Sequence, residues 1–583
     1  MEIINRRSPI VLIWLAVLSA LLLGQLLSFQ FRLNPSITQF EESASTRGIY
    51  TERINPNRGQ IYDRDMVVLA VNSFEYRVGV SPSLVVDRRE AATQLAAVLN
   101  LNEADIYRRL QPDLNGVFPQ FVFLAGPISD ATARVIEDLD INGVTIEPIP
   151  LRSYPQDYLT AQVVGFVNYS EEGFFGVEGQ YDRVLAGTAR EIETSGTIYE
   201  LSERPEASDG QSLVLTIDRD IQFVVTEVLQ EAIQTYHAEG GTIIVMNPRT
   251  GEILGMQSWP PFEVEDVPEL SGKAGFVYNP AIGFTFEPGS VMKVVTASIA
   301  LQVNEAGLDL NWTYNNTGCM EMAGVTICDS DRVAKGNVDF RNCIIKSLNT
   351  CTATWYSIIG PAKVYPLLQS FGFGKPTGVD MEGEEGGIVN LPSSPRWSEA
   401  DFLNVSYGQG ISATPLQMLN AVNTIANDGL MMQPHIVKVR YDGPYRFETQ
   451  PNPVGRPISE EVANAITDIM VDTVQAGEYD ERGAIEGYTV AGKTGTAQQP
   501  TPGGYSVTDS WASFVGFLPA DDPIISAIVV LDRPDQYWGS LTAAPTFNLL
   551  MRRLVVLMEI PPDNIRLQLN QTGGDPFSRD YVR

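Results

Sequence analysis

Ser290 and Lys293 stand three residues apart in the segment FEPGSVMKVVTASIAL (286–301), where most of the other side chains are apolar. On a helix, positions i and i+3 share a face, so the Lys293 ammonium can reach the Ser290 hydroxyl. Such a pair supplies a nucleophile and its base. Taken alone, the two residues also fit an N-terminal cap beside a solvated lysine. The run Val291, Met292, Val294, Val295, Ala297, Ile299 predicts instead a helix inside the protein, where Lys293 has no water unless a polar site faces it. Pro288 and Gly289 mark its start. His237 and His435 are the chain's two histidines. A Ser-His-Asp arrangement is therefore disfavoured, and a serine nucleophile needs another base.

Three further stretches bear on Ser290. In Ser347-Leu348-Asn349 the two polar side chains, at i and i+2, do not share a helix face, so both point into one site only from a turn or an extended piece. Lys493-Thr494-Gly495-Thr496 reads as a strand. Its period of two sends Thr494 and Thr496 to one face, where two hydroxyls could grip a carboxylate, and Gly495 is expected to let a ligand backbone approach closely. Residues 487–494, GYTVAGKT, also fit the phosphate-binding pattern G-x-x-x-x-G-K-T, but that loop must enter a helix, and GTAQQPTPGG cannot start one. The third stretch, SYGQGISATPLQM (406–418), is a glycine-containing turn before a helix.

The elements that must position these groups follow from the rest of the chain. At 583 residues, 44% apolar and 19% charged, it holds two or three globular domains. A net charge of −31, from 40 basic and 71 acidic side chains, argues against nucleic acid. Four cysteines without C-x-x-C spacing and two histidines leave little material for a metal site, and neither metal nor cofactor is expected. Residues 10–29 carry no charge and follow Arg6 and Arg7, which predicts an uncleaved helical anchor at 9–31, a cytoplasmic stub at 1–8, and export of the remainder. Residues 32–205 read as a mixed α+β unit with helical pattern from 87 to 140. Residues 206–562 open with a helix, in which Ile221, Val224, Val225, Val228, Leu229, Ala232 and Ile233 keep helical spacing before Gly240 and Gly241 stop it, and with two strands around Asn-Pro-Arg-Thr-Gly. They continue through an inserted, mainly helical lobe and close with the strands GYTVAGKTGTA, SWASFVGFLP and ISAIVVLD and the helix APTFNLLMRRLVVLM. An antiparallel sheet flanked by helices, with a cleft against the helical lobe, is the expected fold. Residues 563–583 are expected as a flexible tail.

Together, Ser290-x-x-Lys293, Ser347-x-Asn349 and Lys493-Thr494-Gly495, in that order, resemble the motif set of penicillin-binding proteins and serine β-lactamases. The extracytoplasmic chain as a whole is similar to the class B, monofunctional penicillin-binding proteins, the D,D-transpeptidases of peptidoglycan synthesis. Arg58-Gly59-x-Ile61-x-Asp63-Arg64, Gly176-x-Glu178-x-x-Tyr181-Asp182-x-x-Leu185-x-Gly187, Tyr407-Gly408-Gln409-Gly410, Thr414-Pro415-Leu416-Gln417 and Ala544-Pro545 extend the match. Asp65-Met66 departs from the usual Asn-Gly, and Pro280 from the usual Asn-Arg-Ala. The resemblance implies that Ser290 attacks the D-Ala-D-Ala carbonyl, Lys293 accepts its proton, and Ser347 relays protons to the leaving amine. It further implies that Asn349 holds the substrate amide, Lys493 tunes the field around Ser347, and Thr494 and Thr496 bind the terminal carboxylate. The backbone N–H groups of Ser290 and Thr496 would form the oxyanion hole, whose donors are typically worth about 100- to 1000-fold in rate. Burial, a second ammonium and a helix N-terminus would all lower the Lys293 pKa.

Two rivals share these motifs: a β-lactamase or D,D-carboxypeptidase, in which water resolves the acyl-enzyme, and a membrane-bound β-lactam receptor that signals without turnover. The anchor and the 32–205 unit favour the transpeptidase over the first, and the short cytoplasmic segment disfavours the second. No glycan-polymerase domain fits within 32–205. A partner polytopic polymerase and elongation or division proteins are therefore implied by the resemblance, beside stem peptides and β-lactams. Finally, TGCMEMAGVTICDS (317–330) reads as a hairpin turning at Ala323-Gly324. Counting outward sets Cys319 opposite Cys328, within reach of a disulfide in an exported chain. Cys343 and Cys351 are expected as free thiols.

Overall fold

The computed structural model describes residues 16–23, 50–54, 56–168, 170–194, 208–267, 279–476, 480–501 and 504–572. They fall into two compact units, one formed by 1–57 with 187–210 and the other by 58–186 with 211–583. In the first, strand Tyr50–Ile54 pairs antiparallel with Arg190–Thr194. Asp209 accepts from the Asn57 backbone N–H at 2.8 Å. Residues 16–23 are helical and exposed, and the rest of the expected 9–31 anchor lies outside the described residues. Among the described residues no helix is long and apolar enough to cross a membrane.

In the second unit, Val68–Val80 pairs with both Val122–Ile128 and Val144–Ser153. Helices Arg88–Leu99, Glu103–Arg109 and Asp130–Asp138 lie beside this small sheet, around a core containing Val78, Val80, Leu95, Ile106 and Ile136. The helical pattern expected from 87 to 140 is present, interrupted by the strand Val122–Ile128. The two motifs of this region meet on one buried carboxylate. Glu178, 0% exposed, accepts from Arg152 Nε and Arg58 Nε, each at 2.8 Å. Arg58 also reaches Asp182 at 2.8 Å, and Tyr181 donates to Asp380 at 2.8 Å. Strand Ile61–Tyr62 lies parallel to Ser212–Leu215 and antiparallel to Val68–Val80, so one continuous sheet runs across the expected boundary near 205.

A second sheet has five antiparallel strands: β1 (Gly240–Met246), β2 (Ile253–Trp259), β3 (Ala491–Thr501), β4 (Gly504–Leu518) and β5 (Ile525–Asp532), in the order β2-β1-β5-β4-β3. One face packs on α1 (Arg219–Tyr236), whose Asp218 cap accepts from the Asp220 and Ile221 N–H groups. The other face packs on α2 (Met292–Val303), in a core that takes in Ala491, Val515 and Phe517. Next come α3 (Phe340–Ile345) and α4 (Asn349–Ile359), which stack Phe340 on Trp355 with ring centroids 4.2 Å apart. Then follow α5 (Pro415–Ala426), opened by the Thr414/Gln417 capping box, and α6 (Glu460–Ala476) beside β3. α7 (Ala543–Leu557) joins α1, and Phe547 meets Phe514 of β4. The expectation of a tail from 563 is corrected in part. Asp563–Thr572 forms helix α8, held because Arg566, 1% exposed, pairs with Asp521 and Asp563, while Asp563 accepts from the Thr489 N–H at 2.6 Å. Residues 573–583 lie outside the described residues.

The small hairpin Cys319–Met322/Val325–Cys328 turns through Ala323 and Gly324, both left-handed, and sets Cys319 opposite Cys328. Their Cα atoms are 4.1 Å apart and the sulfurs are bonded. Cys343 and Cys351 are also bonded, with Cα atoms 5.9 Å apart, which corrects the expectation of free thiols. The reason is local: Ser347 takes φ +52° and folds the start of α4 back beside α3.

Candidate active site

Ser290 sits half-buried in a single 3-10 turn, Gly289–Val291, that runs directly into α2. Two contacts hold that turn. Phe286 and Ala413 exchange backbone hydrogen bonds at 3.0 Å each, and the Gly289 N–H donates to the Gly408 carbonyl at 2.9 Å. A Cβ on Gly408 would lie 2.1 Å from the Gly289 oxygen, so the Tyr407-Gly408-Gln409-Gly410 turn is glycine-bearing because it backs the serine. Glu287 completes this wall by accepting from the Gly410 N–H at 2.9 Å and the Tyr505 hydroxyl at 3.2 Å. Burial pushes its carboxyl up to about 7.

Lys293 is 0% exposed. Its ammonium donates to the Ser347 carbonyl at 2.6 Å and to Ser347 Oγ at 3.1 Å. Burial first and the Lys493 charge second lower its pKa to about 7, against the pull of Asp329 and Asp480. The Ser347-Leu348-Asn349 segment is the turn its spacing requires. Ser347 is left-handed at the end of α3, Leu348 is extended, and the Leu348 N–H returns to the Cys343 carbonyl at 2.9 Å. Left-handed geometry at a non-glycine residue stores strain, which the two Lys293 bonds help to hold. Asn349 Nδ2 donates to the Cys328 carbonyl at 2.8 Å.

Lys493 lies on β3, opposite Val515 of β4, so its P-loop resemblance is a coincidence of letters. It too is 0% exposed, and its ammonium donates to Asp480 Oδ2 at 3.1 Å and to Thr494 Oγ1 at 3.4 Å. Asp480 also accepts from the Thr494 N–H. Thr496 stays half-buried, and its Oγ1 accepts from the Gly539 N–H at 3.0 Å. Gly495 is also required within the protein itself. A Cβ there would lie 2.3 Å from Ser513 Oγ and 2.8 Å from the Pro288 carbonyl, so it admits the protein's own Ser290 turn against β3.

Lys293 thus links the Ser290 helix to the Ser347 turn, and its pKa carries the influence of Lys493 on β3. Sequence reasoning missed Asp480, Asp329 and Glu287. Glu287 lies in the Ser290 segment itself, whereas Asp480 and Asp329 come from turns with no periodic signal.

Residues 241–552 match the family model described as the penicillin-binding protein transpeptidase domain, and residues 53–215 match the penicillin-binding protein dimerisation domain. The chain belongs to this family. Its architecture is that of the class B penicillin-binding proteins, a serine acyl-transferase domain behind a dimerisation domain. It is 30% identical to stage V sporulation protein D of Bacillus subtilis over 547 residues, 91% of this chain and 83% of that one. To the peptidoglycan D,D-transpeptidase FtsI of Escherichia coli it is 27% identical over 528 residues, 89% of this chain and 86% of that one. Among solved structures it resembles penicillin-binding protein 3 of Mycobacterium tuberculosis complexed with aztreonam. The TM-score is 0.67 at 29% identity, over 88% of this chain and 98% of that one. In this penicillin-binding protein all three motifs belong to the transpeptidase match, since Ser290, Ser347 and Lys493 fall within 241–552. The Arg58–Glu178 pair falls within the dimerisation match.

Proposed function

We propose that this chain is a membrane-anchored peptidoglycan D,D-transpeptidase that works through an acyl-enzyme on Ser290. The observation that carries the reading is Lys293, a fully buried lysine with its pKa lowered to about 7, one helical turn from Ser290 and bonded to Ser347. About half of these side chains are neutral at pH 7, so Lys293 accepts the Ser290 proton as Oγ attacks the carbonyl of D-Ala-D-Ala. The N–H groups of Ser290 and Thr496 stabilise the oxyanion. Ser347 passes the proton to the departing D-alanine nitrogen, and Asn349 holds the substrate amide. Thr494 and Thr496 bind the terminal carboxylate, while Lys493, fixed by Asp480, keeps positive charge beside Ser347. An amine of a neighbouring stem peptide then attacks the ester, forming the cross-link and restoring Ser290. β-Lactams acylate the same oxygen.

In this reading 1–8 is cytoplasmic, 9–31 spans the membrane once, 32–205 is the elongated pedestal and 206–562 is the extracytoplasmic catalytic domain. Glycan strands come from a partner polytopic polymerase of elongation or division. The test uses the full chain in detergent with a stem pentapeptide donor. D-Alanine release that rises with an added acceptor amine and is lost in Ser290→Ala supports the transpeptidase. Release insensitive to the amine supports the carboxypeptidase instead.

A further inference from the structure

The Ser347-Leu348-Asn349 turn is held by a disulfide on one side and by hydrogen bonds to a disulfide-closed hairpin on the other. On one side, Cys343 of α3 and Cys351 of α4, both 0% exposed, are bonded across it, so the turn is the closed end of a short cystine loop. On the other side, the hairpin locked by Cys319–Cys328 delivers two consecutive acceptors to the first residues of α4. The Cys328 carbonyl takes the Asn349 side-chain amide at 2.8 Å. Asp329, 3% exposed, takes the Thr350 N–H at 3.0 Å and its hydroxyl at 3.2 Å. Asn316, at the hairpin base, donates to Asp329 at 2.6 Å and to Thr350 Oγ1 at 2.9 Å. Between these anchors Ser347 keeps its left-handed φ of +52°. A turn strained at the residue that faces Lys293 relaxes unless its ends are fixed; the Cys343–Cys351 bond ties the two ends together, and the hairpin closed by Cys319–Cys328 holds the Asn349 end.

We propose that the two cystines are a positioning brace for this turn, so that acylation of Ser290 depends on the oxidised chain. The proposal rests on the reading of Ser347 and Asn349 as part of the active site. Each bond forms when a thiol pair gives up two electrons and two protons to a disulfide-bearing oxidant outside the membrane, which leaves as a dithiol. Reduction runs the same exchange backwards. A dithiol attacks one sulfur, its second thiol closes on the mixed disulfide, and both cysteine thiols are released. Cys319 and Cys328 are half-buried while Cys343 and Cys351 are fully buried, so the hairpin cystine is reduced first.

The experiment measures the rate of acylation by a fluorescent penicillin on the full chain in detergent, well below its melting temperature, with folding followed by circular dichroism. It compares the oxidised chain, the chain treated with dithiothreitol until two thiols can be alkylated, and the paired variants Cys319→Ser/Cys328→Ser and Cys343→Ser/Cys351→Ser. A misplacement of about 1 Å costs about 100-fold, so a loosened turn should slow acylation about 10- to 100-fold while the fold persists, and reoxidation should restore the rate. A cystine that only stabilised the fold would leave the rate of the folded, reduced protein unchanged, and that result overturns the brace. Four alkylatable thiols in the native chain overturn it as well. Should the Cys343 pair fail to fold as serines, reduction of the hairpin bond in the native sequence reads the same quantity. An oxidised chain that never labels at Ser290 removes the active-site reading itself, which separates that failure from failure of the brace.

Discussion

If Lys293 is the base, acylation should follow its titration. Its pKa of about 7 is set first by burial and second by the Lys493 charge. An ordinary lysine titrates at 10.5. At pH 7 about half of the Lys293 side chains are neutral, against roughly one in 3000 for the ordinary group. The neutral form takes the proton, so the rate should fall as pH drops below about 7, by about tenfold between pH 8 and pH 6, and level off above pH 8. Lys493→Met removes the neighbouring charge and keeps the stem. The remaining activity will be low, but its midpoint is still readable and should move to higher pH, because one cause of the lowering is gone. The assay is the acylation rate by a fluorescent penicillin at saturating drug from pH 5 to 10, with circular dichroism at each pH. A flat profile in the native chain, or an unmoved midpoint in Lys493→Met, would refute the assignment of Lys293 as base.

At Ser347, whose φ is +52°, a glycine avoids the Cβ strain that an alanine meets. Ser347→Gly should thus be roughly 1 kcal/mol more stable than Ser347→Ala in urea unfolding, although both lack the hydroxyl and label slowly. Glu178→Gln leaves Arg58 and Arg152 without their shared buried carboxylate and should cost about 3–5 kcal/mol, read as a lowered melting temperature. Glu287 has its carboxyl raised from 4.5 to about 7, so the folded state holds a proton that the unfolded state has released. Stability from this group is therefore full below about pH 4.5 and is lost as pH rises to about 7. Glu287→Gln should flatten that part of the stability–pH curve, and an unchanged curve would contradict the assignment.

The three motifs that fall in the transpeptidase match were visible in the sequence because each is a few adjacent residues, and the sheet was legible from its alternating strands. What escaped were contacts made by residues distant in the chain. Asp480 meets Lys493 from outside any helix or strand, and Asp329 meets α4 only through the base of a hairpin. The close approach of the Pro288 carbonyl to Gly495, which its missing side chain admits, is visible only in three dimensions. The Cys343–Cys351 bond depends on one left-handed residue, Ser347, and no propensity scale puts a serine there. Helix α8 was read as tail because its sequence is polar, yet a single arginine, Arg566, buries itself against two aspartates and holds it. The Asp65-Met66 departure is accommodated by Asp63, whose carboxylate accepts from the Asp65 and Val67 N–H groups at 2.9 and 2.7 Å and holds the turn with Met66 left-handed.

The central claim is that Ser290 carries the acyl group and keeps it until an amine arrives. Intact-mass spectrometry of the full chain after incubation with a penicillin, followed by peptide mapping, tests it most directly. One persistent adduct is expected on the peptide containing Ser290, absent from a folded Ser290→Ala variant and formed far more slowly in Lys293→Ala. Rapid turnover and release of the drug would identify a β-lactamase instead, and an adduct on any other residue would contradict the assignment of Ser290.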